Sequence, residues 1–213
     1  MTTKDRILDA AERLFAEHGF ANTSLRSITA EAGANLAAVN YYFQSKEALV
    51  QAVFNRRLEP INRRRLEMLD EAERRAGGAA PLEDILRAVL QPVLQMGGPT
   101  PDACSAFARL FGRLFSEPGE TVAAVVRQQF GEIRDRFLAA FGRALPDLPQ
   151  TELAWRVFFM IGSIAHSVGA PHILNMVSDG LCDATDLDAL EDRLIGFLAA
   201  GFRAPVPEVQ HAH

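Results

Sequence analysis

Only two cysteines occur in the chain, Cys104 and Cys182, far apart and outside any Cys-x-x-Cys or Cys/His pattern, which excludes a disulfide framework and a cysteine-type zinc site. No stretch approaches the roughly 18 consecutive apolar residues of a membrane-spanning helix, and the chain opens on polar Thr2, Thr3, Lys4 and Asp5 rather than on an apolar leader. A soluble protein of the reducing cytoplasm, with no membrane partner and no cofactor, is the expectation. A Gly-rich phosphate loop, metal-ligand spacing, a nucleophile elbow and a paired-carboxylate arrangement are all lacking, so an enzyme is not expected. Positive charge is not in excess either. The formal net charge of −5 argues against a protein that coats nucleic acid non-specifically, but it leaves room for a small reader inside an acidic whole.

What is present is helical pattern. With 48% hydrophobic and 23% charged residues, 213 residues suffice for one large domain or for a small domain joined to a larger one, each with a real core. Ile7, Leu8, Ala11, Leu14 and Phe15 share one helix face, and Gly19 stops that helix. A shorter pattern, Leu25, Ile28 and Ala32, follows Thr23 and Ser24, either of which can cap it, and ends at Gly33. Asn35 can cap a third helix, Leu36 to Phe43, whose spacing turns Leu36, Val39 and Phe43 inward and leaves Ala37, Ala38, Asn40 and Tyr41 outward. Ser45 caps a fourth, which meets Pro60, where a break or kink is predicted, and then a basic run from Arg63 to Arg65.

Beyond residue 76, Gly/Pro clusters separate blocks of helical length and no block alternates with period two, so the expected fold is all-α, with about nine helices. Two short helices joined at a tight glycine turn have the geometry that pushes a second helix into a DNA major groove. A helix-Gly-helix corner also occurs in proteins that never touch DNA, so spacing alone leaves both readings open.

The residues go further. Ile7-Leu8-Asp9-Ala10-Ala11, Leu14-Phe15-Ala16-Glu17-His18-Gly19-Phe20, Thr23-Ser24-Leu25-Arg26-Ser27-Ile28, Ala32-Gly33 and Tyr42-Phe43-x-Ser45-Lys46-Glu47-x-Leu49 resemble the N-terminal domain of the TetR family of transcriptional regulators. The resemblance implies a three-helix helix-turn-helix domain over residues 1–50, a helical bundle for effector binding and dimerisation over 51–204, and a frayed tail over 205–213. It implies phosphate contacts from Ser24, Arg26, Tyr42 and Lys46, and a groove-facing set of Asn35, Leu36, Ala37, Asn40 and Tyr41. The chemistry agrees, since phosphate oxygens accept from hydroxyls, Arg and Lys, Asn can pair with adenine, and small Ala side chains allow close approach to thymine methyls. A reader with so few cations needs two half-sites to bind tightly. A homodimer on a pseudo-palindromic double-stranded operator, with half-site centres about 34 Å or a multiple apart, is therefore expected.

The second half is more loosely similar to fatty-acid-sensing repressors of the PsrA type, at Phe107-x-Arg109-Leu110-x-Gly112, Trp155-Arg156-Val157-x-Phe159-Met160 and Phe197-Leu198-Ala199-Ala200-Gly201. The stretch Asn35 to Tyr41 is similar too, which accounts for Asn40 where the TetR pattern usually carries an aromatic. The implied effector is a long-chain fatty acid or acyl derivative. Candidates to bind it are Phe107, Arg109, Leu110, Phe111, Leu114, Phe130, Phe158 and Gly162, with Arg109 favoured over Arg113 and Arg156 as the carboxylate partner. For Arg156 the alternative is an ordinary pair with Glu152 one turn back.

The last two long helices mix bulky and small residues, as the family's four-helix dimer bundle requires, and Ile164, Val168, Leu190, Leu194, Phe197 and Gly201 are the expected interface. A regulator answering to an unrelated hydrophobic or aromatic effector, or a helical lipid-binding protein without DNA binding, is the alternative.

Overall fold

The computed structural model describes residues 1–95, 109–110, 112, 119–169, 171–183 and 186–207. Among them are nine helices and no strand: α1 (Thr3–Asn22), α2 (Leu25–Ala32), α3 (Leu36–Phe43), α4 (Lys46–Ala76), α5 (Leu82–Leu94), α6 (Glu120–Ala144), α7 (Gln150–Gly169), α8 (Pro171–Val177) and α9 (Leu187–Arg203). The all-α expectation holds. By contact the chain divides into two compact units, Met1–Arg63 with Met96–Ile133, and Arg64–Gln95 with Arg134–His213.

In the first unit, α1 starts at a capping box in which Thr2 and Asp5 satisfy each other's backbone amides. Those bonds to Thr2 hold the Asp5 carboxyl below its usual range. The regular helix ends at Gly19, whose φ of 82° only glycine adopts freely, and Thr23 Oγ1 donates to the Gly19 carbonyl at 2.8 Å to close the turn. The fully buried side chains of Ile7, Phe15, Ile28, Val39, Leu49 and Phe54 form the core of the three short helices and the start of α4. Phe20 lies against both Phe15 and Phe54, with ring centroids 5.5 and 5.9 Å away.

Pro60 does not break the helix that contains it. α4 runs for 31 residues, and the boundary between the two units falls within it, after Arg63. The proline costs one intrahelical hydrogen bond, the one an N–H at position 60 would donate to the Arg56 carbonyl, but it is exposed, so water can serve that acceptor, while Leu58 and Ile61 on either side are buried. The basic run does not form one solvated stripe either. Arg65 is buried and its Nε donates to the Val89 carbonyl at 3.0 Å, and burial pushes its pKa down to about 10.

The second unit is organised by α5 against α9. Ile85, Leu86 and Leu90 are buried on one, and Leu194, Leu198 and Phe202 on the other, with Phe202 stacked on Phe141 of α6 at 4.9 Å. Arg203 grips Glu83 with two hydrogen bonds, 2.5 and 2.9 Å. Arg156 of α7 closes the C-terminal end of α9. It donates to the Phe202 and Ala204 carbonyls at 2.6 and 2.8 Å and to Glu152 at 3.0 Å.

Candidate nucleic-acid interface

Each turn around α2 and α3 is fixed by a local polar contact. Ser24 Oγ accepts from the Ser27 amide at 3.0 Å, and Ser27 Oγ accepts in turn from the Ser24 amide at 3.1 Å, which starts α2. Gly33 ends it in the left-handed region, φ 58°, with the Ala34 amide donating to the Thr29 carbonyl at 2.9 Å. Two residues later Asn35 Oδ1 accepts from the Ala38 amide at 2.8 Å and starts α3. The two helices are thus joined by a turn that only a residue tolerant of positive φ makes without strain. Gly33→Ala is expected to lower folding stability by about 1 kcal/mol, seen as a lower midpoint in urea. The cause is backbone strain and not crowding, because the atom nearest to an added Cβ is Arg6 Nη1 at 3.7 Å.

α3 is short, eight residues, and anchored by Val39 and Phe43, both buried. Its other face is open. Tyr41 is 81% exposed, Tyr42 and Leu36 are exposed as well, and Ala37 and Asn40 stand in solvent beside them. Leu36, which its spacing assigns to the inward stripe, is 43% exposed, because α1 and α2 cover α3 only along the side that carries Val39 and Phe43. Tyr41 and Tyr42 meet edge to face at 5.0 Å, and the Tyr42 ring also lies 6.2 Å from that of Phe43.

The open face borders an open concavity of about 700 Å³ lined by Thr3, Arg6, Gly33, Ala34, Asn35, Ala37, Ala38, Tyr41 and Tyr42. Of the sequence-predicted contacts, it brings together Asn35, Ala37, Tyr41 and Tyr42, while Ser24, Arg26, Leu36, Asn40 and Lys46 stand outside it. Ser24 and Asn35 each use a side-chain oxygen as a helix cap, which leaves the NH₂ donors as the unengaged end of Asn35. Asn40 is then the asparagine that keeps both the acceptor and the donor that a bidentate adenine pair needs. Lys46 is half-buried, and its Nζ reaches back to the Ala21 carbonyl at 3.4 Å. Thr3 and Arg6 lie outside the sequence-predicted set, and no spacing rule links them to α3, which begins 30 positions after Arg6.

Charge is sorted around this face. Asp9 and Glu12 of α1 are taken up by α4: Arg56 donates to Asp9 at 2.6 Å and to Glu12, while Arg57 pairs with Glu12 at 2.7 Å. Arg13 pairs with Glu31 at 2.9 Å. Lys4, Arg6 and Arg26 form no ion pair among the described residues, while of the acids on these helices Asp5 is held by Thr2 and Glu17 lies against His18.

In the second unit, the expected interface residues divide. Ile164 and Leu194 are buried within the chain, Val168 and Leu190 are half-buried, and Phe197, 69% exposed, and Gly201 stand in solvent. Three aromatics of α7 are also open: Trp155, Phe158 and Phe159 form a cluster with centroids about 6 Å apart. Phe158, expected from the sequence as an effector contact, is 64% exposed in that cluster, and Gly162 one turn on is exposed too, so neither is enclosed. Of the other effector candidates, Leu110 is buried, Phe130 half-buried and Arg109 exposed, and Phe107, Phe111 and Leu114 lie outside the described residues, as does Arg113. Arg156 takes the structural alternative, engaged with Glu152 and the end of α9.

A family model described as bacterial regulatory proteins, tetR family, matches residues 7–53, and one described as tetracyclin repressor-like, C-terminal domain, matches residues 87–201. Among curated proteins, YttP of Bacillus subtilis is 41% identical over 51 residues, 24% of this chain and 25% of YttP. UidR of Escherichia coli K12, an HTH-type transcriptional regulator, is 39% identical over 51 residues, 24% of this chain and 26% of UidR. The chain thus matches about a quarter of the length of these relatives. Among solved structures, the fatty acid degradation regulator FadR from Bacillus halodurans superposes with a TM-score of 0.63 at 19% identity, over 93% of this chain and 99% of that one. FadR from Bacillus subtilis, solved in complex with stearoyl-CoA, gives 0.59 at 20% identity, over 92% and 98%. At these identities the likeness is one of fold.

Proposed function

Because this chain belongs to the tetR family of bacterial regulatory proteins, we propose that it is a repressor that binds a pseudo-palindromic operator as a homodimer and releases it when an acyl effector binds. The observation that carries the DNA-binding part is the outward face of α3. It presents a small, close-approach surface at Ala37, an exposed amide at Asn40 with no side-chain hydrogen bond among the described residues, and an exposed pair of tyrosines, on a helix braced from behind by Val39 and Phe43. Asn40, Ala37, Leu36 and Tyr41 face base edges, and Ser24, Arg26, Tyr42 and Lys46 hold the backbone. Residues 1–50 act as the reader and residues 51–204 as the part that dimerises and binds the effector.

Dimerisation uses the open faces of α7 and α9. Trp155, Phe158, Phe159 and Phe197 are four large rings exposed on one chain, and exposed Gly162, Gly196 and Gly201 on the same helices let a second pair of helices approach closely. Phe158 and Gly162 are therefore assigned to the contact between copies rather than to the effector.

The acyl assignment is supported by the shared fold with FadR from Bacillus subtilis, solved with stearoyl-CoA, and by the apolar character of the segments that hold Leu110 and Phe130. An effector releases DNA only if it binds the conformation that cannot span both half-sites more tightly than the one that can. The test is selection of bound duplexes from a random pool, followed by titration of the complex with a long-chain fatty acid, its CoA ester and an unrelated aromatic. Release at micromolar acyl compound is the expected result. Release by the aromatic alone would overturn the acyl effector and leave the repressor standing.

A further inference from the structure

We propose that Arg6, with Thr3 one turn before it on α1, binds a DNA phosphate beside the groove read by α3, so that each reader is held to the backbone by its first helix as well. The proposal rests on the DNA-binding reading above and extends the site to a helix that reading does not use. Arg6 is half-buried and lines the same concavity as Asn35, Ala37, Tyr41 and Tyr42. Its guanidinium lies over the turn between α2 and α3, with Nη1 3.7 Å from where a Cβ on Gly33 would stand. A side chain at Gly33 would therefore stand next to the guanidinium, whereas glycine leaves it clear.

Among the described residues no carboxylate answers this cation, and its one polar side-chain contact is a long hydrogen bond from Nη2 to Thr3 Oγ1, 3.4 Å. The acids around it on α1 are engaged elsewhere: Asp5 caps the helix with Thr2, and Asp9 and Glu12 are held by Arg56 and Arg57 of α4. Arg13, two turns on along the same helix, shows the contrasting case, an arginine satisfied by Glu31. A guanidinium offers five donors in a fork that matches two phosphate oxygens, and here the arginine that carries it lines the concavity. Thr3 holds one edge of the fork and its hydroxyl can itself donate to the same phosphate.

The test uses the full chain and a selected operator duplex, with affinity measured across a series of KCl concentrations for the wild type, Arg6→Gln and Arg6→Lys, and thermal melts of each protein. A dimer loses two phosphate contacts in Arg6→Gln, so the slope of log K against log salt is expected to fall by about 2, with base preference unchanged and the melting temperature kept. Arg6→Lys is expected to retain most of the slope, since the charge remains. An unchanged slope in Arg6→Gln, or weaker binding that tracks a lower melting temperature at constant slope, would show that Arg6 only packs the turn and would overturn the proposal. If the wild type itself shifts no duplex at low salt, the DNA-binding reading falls first, and this one with it.

Discussion

Replacing Phe197 with glutamate is expected to leave the protein monomeric at micromolar concentration and to weaken operator binding by at least about a hundredfold. The ring is 69% exposed on a single chain, so the substitution disturbs little inside it; the opposite side of α9, with Leu194, Leu198 and Phe202, carries the packing against the rest of the unit. Around a two-fold axis each substitution counts twice. Two phenyl groups lose burial worth roughly 2 kcal/mol each, and two carboxylates are brought into an apolar seam. A reader that must then bind one half-site alone loses the tethering that its neighbour supplied. Sedimentation velocity and operator titration check both parts. A variant that stays dimeric and binds as the wild type does would place the interface elsewhere on the chain.

Glu12→Ala is expected to destabilise the first unit by about 3 kcal/mol, enough to lower the melting temperature by roughly 6–12 °C in a chain of this size. The Glu12 side chain is 5% exposed and accepts from two arginines of α4: Arg56 Nη2, and Arg57 through Nε at 2.9 Å and Nη2 at 2.7 Å. Burial by itself disfavours the Arg56 charge, and the hydrogen bonds to Glu12 and Asp9 outweigh it, so the Arg56 pKa lies above its ordinary value. Among the described residues Arg56 Nε already lacks a partner in its buried position, and without the carboxylate Arg56 keeps only Asp9 and Arg57 keeps no acid. The lower end of the range for a broken buried pair applies because the Arg57 side chain is a third exposed and can turn to water. Differential scanning calorimetry checks this, with Glu12→Gln as the companion that retains shape and one acceptor. A change of less than 1 kcal/mol in both would mean that water already carries these arginines.

The helix-turn-helix was legible because its signals are local. Ser24, Gly33 and Asn35 act on the nearest turn of backbone, and each does in the structure what its chemistry announces. Ser45 likewise accepts from the Ala48 amide at 3.0 Å to start α4. The failures come where a distant part of the chain decides. Periodicity groups Leu36 with Val39 and Phe43, but which side of α3 is covered depends on α1 and α2, and their cover does not extend to Leu36. Pro60 reads as a break or kink because its ring lacks an N–H; the helix is not broken there, and the flanking residues Leu58 and Ile61 are buried on either side of it. Arg6 carries no motif of its own, and its place beside the Gly33 turn exists only after α1 has packed on α2 and α3. Arg156 shows the reverse: the Glu152 pair one turn away was readable from spacing, whereas its two bonds to the end of α9, 46 and 48 positions on, were not. Phe158 is the clearest case of an apolar residue that periodicity places on an apolar face without saying what covers it, for it is 64% exposed among the described residues.

The central claim is that two copies of α3 enter successive turns of one DNA duplex from the same side. Hydroxyl-radical footprinting of the purified protein on a duplex selected from a random pool tests it most directly. Two protected patches of related sequence on one face of the DNA, with centres about 34 Å or a multiple of that apart, are the expected result, and Asn40→Ala should relax base discrimination at one position within each patch. A single patch, or even protection along the whole fragment, would contradict the paired reader.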